Sequence, residues 1–277
     1  MGKSDSTLLA IGGGEMSEAT EVMDELLGLL KRKSDPRVVV MTVATSEPES
    51  ATSKYISLFR ERSIKHVDAV DVSLREDAFD EASVKKVKAA DALFFTGGDQ
   101  LVVTSLMGGT PLHKIIHDRF NEGFIIAGTS AGAAMMSSSM IVSGGSGNPP
   151  LVGGVEFGPG LNLIPDTVID THFSQRARHG RLLTAVAHYP QAIGLGIDEQ
   201  TAMVVKGNEF KVIGKGVVTV VDGSQMRHCD LPYRDMHETI GMFQTHLHVL
   251  PPGYRFNFKT REPIAPSLKA LAGQQNS

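Results

Sequence analysis

The chain has 277 residues, of which 27 are basic and 31 acidic, and its net charge is −4. This length fits one large domain or two small ones, and contents of 41% hydrophobic and 21% charged residues are ordinary for a globular protein. So small a negative charge gives no sign of a nucleic-acid partner. The single cysteine, Cys229, excludes an intrachain disulfide and any zinc site built from several cysteines.

Apolar runs in the sequence are short. No stretch approaches the ~20 apolar residues of a membrane-spanning helix, so we expect no membrane partner. The run at residues 8–11 is too short for the apolar core of a signal peptide. A single cysteine also fits a reducing compartment. These features predict a cytoplasmic protein.

Strands and helices alternate through the first half of the chain. Residues 7–11 are predicted to form a buried strand that ends in three glycines, and a helical pattern then runs to Leu30. This alternation is typical of an α/β fold, with a mostly parallel sheet and helices on both faces. The glycine-rich ends of the strands then meet at one edge, where binding sites form. Further strands are predicted at residues 38–43, 67–72, 92–96 and 124–127, and helices at residues 49–62, 76–89 and 111–121.

The stretch at residues 123–139 carries the clearest chemical signal. A buried strand leads into Gly128-Thr129-Ser130-Ala131-Gly132, and small and apolar residues then open a helix. Strand, Gly-x-Ser-x-Gly and helix together indicate a nucleophile elbow, in which a sharp turn exposes the serine hydroxyl. The helix that follows aims its amide dipoles at an anion formed beside that oxygen. We therefore predict that Ser130 is a nucleophile; the alternative is an ordinary serine in a turn of small residues.

The second half of the chain is less regular. Residues 143–160 form a loop rich in Gly and Pro, of a length that is usually functional or mobile. Strands at residues 168–170 and 193–197 then flank a basic helix at residues 173–188, and hairpins are predicted from 201 to 221. Residues 224–260 are rich in loops. Since no linker or repeat interrupts the chain, we predict a single domain, residues 1–277.

A serine hydroxyl needs a base to remove its proton. Of the ten histidines, His172 lies directly beyond a predicted strand, at the sheet edge that also holds Ser130. Arg178 and Arg181 follow it and share a face of the predicted helix. We expect His172 to be the base, with the arginines near it; the alternative is a solvated basic helix.

An acid usually orients the histidine and stabilises its charged form. Glu199 follows the strand at residues 193–197 and is favoured for this role. We expect an oxyanion to be bound by the amide of Ala131 and by a second amide from Gly98 or its neighbour Asp99. Other candidates for the acid are Asp198, Glu156 and Asp170.

Several motifs occur together in this chain: GGDQ at 97–100, GTSAGAAMMSSSMI at 128–141, SGGSG at 143–147, DTHFSQRARHGRLL at 170–183 and GIDEQTAM at 196–203. Their order and spacing resemble those of the cyanophycinases, a serine-peptidase family related to peptidase E, an aspartyl dipeptidase. The resemblance extends over most of the chain, from about residue 8 to residue 222. It implies a fold related to class I glutamine amidotransferases, no metal or other cofactor, and often a homodimer. The hairpins predicted from residue 201 would be an addition to that fold near the C-terminus.

The resemblance also implies a substrate, cyanophycin, a polyaspartate backbone with arginine joined to each side-chain carboxyl. Members of the family hydrolyse backbone bonds and release β-aspartyl-arginine dipeptides. A polymer with a carboxylate and a guanidinium on every side group suits a groove of arginines and carboxylates. By motif match, Ser130 takes the nucleophile position and His172 the base position, and the substrate-binding positions fall on Gln100, Asp170, Thr171, Arg176, Arg178 and Arg181.

Two residues depart from the family pattern. The family commonly has Gln where this chain has Thr171, so a substrate hydrogen bond is lost or made through water. It also commonly has an acid where this chain has Asn148. If that acid completes a triad, this protein uses an amide there; if Glu199 is the acid, Asn148 is a change in a substrate-binding loop.

Two other functions remain open at this point. One is a dipeptidase that acts on short aspartyl or isoaspartyl peptides. The other is a non-catalytic nucleotide- or anion-binding protein that uses the three glycines after the first strand as a phosphate loop. The P-loop and dinucleotide motifs are both missing, which disfavours the second function.

Overall fold

The computed structural model describes residues 6–43 and 45–267. The helices are α1 (Thr20–Leu30), α2 (Pro48–Glu61), α3 (Glu81–Ala89), α4 (Gln100–Met107), α5 (Pro111–Phe120), α6 (Ala131–Ala134) and α7 (His179–His188). The strands of the first half are β1 (Thr7–Ile11), β2 (Arg37–Val43), β3 (His66–Val72), β4 (Ala92–Phe95) and β5 (Ile125–Thr129). Those that follow are β6 (Ser139–Gly144), β7 (Val155–Pro159), β8 (Thr167–Thr171), β9 (Ile193–Ile197), β10 (Thr201–Lys206), β11 (Glu209–Gly214), β12 (Val218–Asp222), β13 (His228–Cys229), β14 (Met242–Phe243), β15 (His246–Leu250), β16 (Arg255–Asn257) and β17 (Glu262–Ile264).

A nine-stranded sheet forms the centre of the fold, in the order β17-β16-β11-β10-β1-β5-β4-β2-β3. Strands β1, β5, β4, β2 and β3 pair in parallel, and β10, β11, β16 and β17 extend the sheet with antiparallel pairs. The predicted α/β class, with a mostly parallel sheet and added strands near the C-terminus, is therefore confirmed. Of the hairpins predicted from 201 to 221, β10 and β11 form one, whereas β12 pairs with β9 and β15 in a different sheet.

The inner parallel strands β1, β4 and β5 are buried along their whole length because both faces of the sheet are covered. The edge strand β3 instead exposes His66, Asp68 and Asp71. Side chains of a strand alternate between its faces. In β1, Leu8 and Ala10 pack into one core cluster with residues of α4 and α5, whereas Leu9 and Ile11 pack into another with residues of α1 and α2. This continuous burial explains why the sequence shows unbroken apolar runs.

A second sheet has four strands, in the order β15-β12-β9-β8. It includes the two strands, β8 and β9, that end just before His172 and Asp198. Strands β8 and β9 are parallel, and Thr171 pairs with Ile197 at their ends. His172 and Asp198 therefore leave their strands at the same edge. In the main sheet Ile11 pairs with Thr129, so Gly12 and Ser130 also leave their strands together.

Two predicted helices differ from the structure, and one helix was missed. The helix at 76–89 is divided, because the carboxylate of Asp80 caps α3 by accepting the amides of Ala82 and Ser83. Helix α4, which Asp99 caps through the amide of Leu101, was not predicted. The basic helix at 173–188 begins only at His179, and residues 173–178 form a turn instead.

Within residues 6–43 and 45–267, no helix combines the length and apolar character needed to cross a membrane.

Candidate active site

Ser130 lies at the sharp turn between β5 and α6. Its backbone has φ 55° and ψ −115°, a strained conformation for a residue other than glycine. The turn is possible because strand and helix approach very closely: a Cβ on Gly128 would lie 2.2 Å from the carbonyl oxygen of Gly132. The amide of Ser130 donates to the carbonyl of Ile11 at 3.0 Å, which ties the turn to β1. Both flanking glycines are thus required by sterics.

His172 contacts the serine directly. Its Nε2 lies 2.8 Å from Ser130 Oγ. The residue follows β8 with φ 49°, and its amide donates to the carbonyl of Gly12 at 2.7 Å. The ring packs against Gly13, where a Cβ would lie only 2.3 Å from ring atom Cε1. The glycine loop after β1, residues 12–14, therefore holds the imidazole in position.

Glu199 lies on the other side of the ring. Its Oε1 is 2.6 Å from Nδ1 of His172, so the Nδ1–H donates to the carboxylate and Nε2 is left to accept the serine proton. The competing acids have other partners: Asp198 accepts backbone amides of Ser174 and Val217, Asp170 pairs with arginines, and Glu156 accepts from Ser143. Of the four candidates, Glu199 alone forms a hydrogen bond with His172.

The surroundings of His172 favour its neutral form. Partial burial lowers the pKa of His172, and the positive charges of Arg176 and Arg178 lower it further, whereas the hydrogen bond and charge of Glu199 act in the opposite direction. An imidazole with a depressed pKa stays unprotonated, and so able to accept a proton, over more of the neutral range.

The two residues predicted to supply the oxyanion amides lie close to Ser130. Ala131 is the first residue of α6, and amides of the first helical turn have no acceptor within the helix. Gly98 lines the same cleft as Ser130. A Cβ on its neighbour Gly97 would be 3.6 Å from the Cβ of Ser130, so the two loops are in contact distance.

A polar cleft of about 200 Å³ opens above the serine. It contains all of the predicted substrate-binding residues except Asn148, together with an apolar wall of Ile141 and Val142 from β6 that the sequence analysis missed. Only residues 135–138 separate strand β6 from the end of α6. Nothing in the composition of β6 indicates that it folds back towards Ser130. The lining residues are Gly98, Gln100, Ser130, Ala134, Ile141, Val142, Ile169, Asp170, Thr171, His172, Arg176, Arg178 and Arg181.

A buried ionic group forms the floor of this cleft. Arg181 donates from Nε to Oδ2 of Asp170 at 2.6 Å and also contacts Oδ1, and Arg178 donates to the same Oδ1 at 3.2 Å. Asp170 is 3% exposed. Both oxygens of its carboxylate are bonded to the two arginines. Asp170 is therefore not free to bind the substrate directly, in contrast to the expectation from the sequence.

The remaining predicted residues differ in their exposure. Gln100 donates from Nε2 to the carbonyls of Ile141 and Val142, and its side-chain carbonyl oxygen has no hydrogen bond to any residue that the structure describes. Arg176 is exposed at the cleft, and Thr171 is buried at the end of β8. Asn148 is exposed in the loop after β6 and packs its backbone against Gly180. Its contact with substrate stays a prediction.

No group of three or more His, Cys, Asp or Glu side chains within the described ranges is arranged to hold a metal ion.

Gly13→Ala tests whether contact with Gly13 fixes the position of the His172 ring. The new Cβ would lie 2.3 to 2.9 Å from ring atoms of His172 at a φ of 101°, so the ring must move. Because a displacement of about 1 Å can cost about a hundredfold in rate, we expect kcat to fall by at least that factor. Gly28→Ala in α1, where nothing lies within 4 Å, is the control and should leave kcat unchanged. A Gly13→Ala enzyme within a few-fold of the parent would contradict this role.

Known proteins resemble this chain over most of its length. The profile of Peptidase family S51 matches residues 8–213. A protein of Geminocystis herdmanii named Cyanophycinase is 36% identical over 94% of this chain and 96% of its own length. One of the same name from a Nostoc species is 36% identical over 92% of this chain and 87% of its own.

A solved structure supports the fold independently. The crystal structure of a peptidase from an acI-B1 Actinobacterium superposes with a TM-score of 0.62 at 21% identity, and the match covers 88% of this chain and 99% of the other. The resemblance read from the five motifs is confirmed. With three quarters of its length matched by the family profile and a third of its residues shared with curated relatives, this chain belongs to Peptidase family S51.

Proposed function

We propose that this protein is a serine peptidase that hydrolyses cyanophycin to β-aspartyl-arginine dipeptides through an acyl-enzyme. The observation that carries the proposal is the chain of contacts from Ser130 Oγ to His172 Nε2, at 2.8 Å, and from His172 Nδ1 to Glu199 Oε1, at 2.6 Å. The substrate is supported by the curated relatives named Cyanophycinase, which match over nearly the whole chain.

In the proposed mechanism, His172 removes the proton from Ser130 as the hydroxyl attacks an aspartyl carbonyl of the backbone. Glu199 holds the ring in the tautomer that exposes Nε2 and stabilises its positive charge. The amides of Ala131 and Gly98 bind the oxyanion. His172 then protonates the leaving amine, and water, deprotonated by the same imidazole, releases the acid and restores the serine.

The cleft suits a zwitterionic dipeptide unit. The exposed guanidinium of Arg176 and the partly buried one of Arg178 are donors for a carboxylate. The carbonyl oxygen of Gln100, whose amide hydrogens are already used, is an acceptor for a guanidinium. We propose that these residues bind the substrate and that Asp170 and Arg181 hold Arg178 in position.

Incubation of the purified protein with cyanophycin and, separately, with short aspartyl and isoaspartyl peptides tests the substrate. We expect β-aspartyl-arginine as the product of the polymer. Cleavage of the short peptides alone would favour the dipeptidase function and reject the polymer as substrate.

The pH profile of Arg176→Gln tests the electrostatics of the base. Since the positive charge of Arg176 lowers the pKa of His172, its removal raises that pKa. The acidic limb of kcat/KM should therefore move to higher pH in the variant, in addition to any loss of substrate affinity. Lys54→Gln, whose side chain pairs with Glu15 at the surface, is a control with the same loss of charge. If the acidic limb of the pH profile did not move, the charge of Arg176 would not affect the pKa of His172.

We further propose a homodimer in the cytoplasm. The dimer is supported by the resemblance to the cyanophycinases, and the compartment by the single cysteine and the short apolar runs of the sequence. Sedimentation equilibrium measures the mass of the assembly, and fractionation of cells measures its location.

A further inference from the structure

The turn that carries His172 contacts the segment that carries Glu199 through three consecutive residue pairs. Beyond the ends of β8 and β9, the amide of Phe173 donates to the carbonyl of Ile197 at 3.2 Å. The amide of Ser174 donates to Oδ1 of Asp198 at 3.0 Å. The amide of Glu199 then donates to the side-chain oxygen Oε1 of Gln175 at 3.1 Å. We call the last two pairs, Ser174–Asp198 and Gln175–Glu199, the clamp.

The clamp is reciprocal. In one pair the turn supplies the backbone amide and the opposite segment supplies the side-chain acceptor; in the other pair these roles are exchanged. A helix capping box uses the same exchange to fix two pieces of backbone relative to each other. Here the two pieces are those that bear an imidazole and the carboxylate 2.6 Å from it.

Asp198 connects the clamp to a third segment of the chain. It is 5% exposed, and its second oxygen, Oδ2, accepts the amide of Val217 at 3.1 Å. The buried carboxylate is thus satisfied by backbone amides and holds the turn to the residue that precedes β12. Its role differs from that of the adjacent Glu199, although both are acids that follow the same strand.

The hydrogen bond that Gln175 accepts is not explained by a contribution to folding stability. Gln175 is exposed, and a hydrogen bond at the surface contributes little to folding. Yet its partner is the backbone of Glu199, whose side chain is 35% exposed and is therefore not fixed by packing alone. The bond restricts the one residue whose carboxylate must remain aligned with Nδ1 of His172.

We propose that Gln175, together with Asp198, is a positioning residue that sets the alignment of His172 and Glu199. This rests on the proposed function, in which Ser130, His172 and Glu199 act together. Neither Gln175 nor Asp198 touches the reacting atoms; both act through the backbone of residues that do.

The variants Gln175→Met and Gln175→Glu form a matched pair. Methionine preserves the length of the side chain but removes the acceptor, whereas glutamate preserves the acceptor oxygen. Gln225→Ala, an exposed glutamine beyond the opposite end of β12, is the control. Because Asp198 is buried and its replacement can impair folding, Gln175 carries the test, and thermal unfolding is measured for each variant.

The main readout is the rate at which a fluorophosphonate labels Ser130, which requires no knowledge of the natural substrate. The serine oxygen bonds to phosphorus, fluoride leaves, and His172 accepts the proton. Since one hydrogen bond is worth a few-fold to about tenfold in rate, we expect Gln175→Met to label about three- to tenfold more slowly. Gln175→Glu and Gln225→Ala should label at nearly the parent rate.

A second readout separates positioning from a general structural effect. Three charged groups act on His172: Arg176 and Arg178 lower its pKa, and Glu199 raises it. Weaker contact with Glu199 should therefore move the acidic limb of the labelling rate to lower pH in Gln175→Met. An unchanged rate and limb in that variant, or equal losses in both Gln175 variants, would overturn the clamp. A parent enzyme whose Ser130 is not labelled at all would overturn the proposed function and the clamp with it.

Discussion

Replacement of Ser130 by alanine is expected to abolish hydrolysis of cyanophycin. Loss of the nucleophile in a serine peptidase typically lowers kcat by about a millionfold, because only binding and the oxyanion site still act. The strained turn remains in the variant, since Ala131 to Ala134 and both flanking glycines are unchanged, and we expect its thermal unfolding to be close to that of the parent.

Single-turnover kinetics with cyanophycin measure this loss, and calorimetry measures the binding of the polymer, which should persist. Ser105→Ala is the matched control, because Ser105 is exposed on α4 and lies outside the cleft. If Ser130→Ala retained more than about a thousandth of the parent rate, another group would have to attack the substrate, and the proposed mechanism would fail.

The second large effect is expected from Glu199→Gln. The amide can present its NH₂ group to Nδ1 of His172, which favours the tautomer with the proton on Nε2 and so removes the base. A comparable change in a serine peptidase lowers kcat by about ten-thousandfold, and we expect a loss of about a thousandfold or more. Since the carboxylate raises the pKa of His172, the acidic limb of the remaining activity should also move to lower pH.

Two further variants make this test specific. Glu156→Gln changes an exposed acid whose partner is Ser143 and should leave kcat unaffected. Asn148→Glu restores an acid at the other position considered for the triad, and added to Glu199→Gln it should not recover activity, because residue 148 is exposed and packs against Gly180. A Glu199→Gln enzyme within about tenfold of the parent, or ~1.4 kcal/mol in barrier, would show that the acid lies elsewhere.

Much of the fold follows from local pattern. Residues 7–11 and 193–197 were predicted as strands and form β1 and β9 with the same bounds, because a strand buried on both faces must be apolar throughout. The α/β class and the family resemblance were confirmed. The organisation as a single domain stays a prediction, as do the homodimer and the cytoplasmic location.

The errors arise where side chains and tertiary contacts replace local helix contacts. The sequence pattern predicts a continuous helix through Asp80, but the carboxylate of Asp80 caps the start of a new helix, α3. Residues 173–178 are rich in helix-compatible side chains, yet the amide of Arg178 bonds to the carbonyl of Phe173, and Ala177 has φ 48°. A turn of this kind is stabilised by the neighbouring segment at Asp198, which no local periodicity reveals.

The sequence by itself predicted most of the strands and helices of the first half of the chain, the small residues of the Ser130 turn and the region that supplies the histidine. These features depend on periodicity and on the steric needs of single residues, which are local. Only the tertiary structure decided which carboxylate meets His172, because Asp198 and Glu199 are adjacent and chemically alike. The register of β8 against β9 buries the first under backbone amides and leaves the second 2.6 Å from the ring, and a register between distant strands is a property of the folded chain.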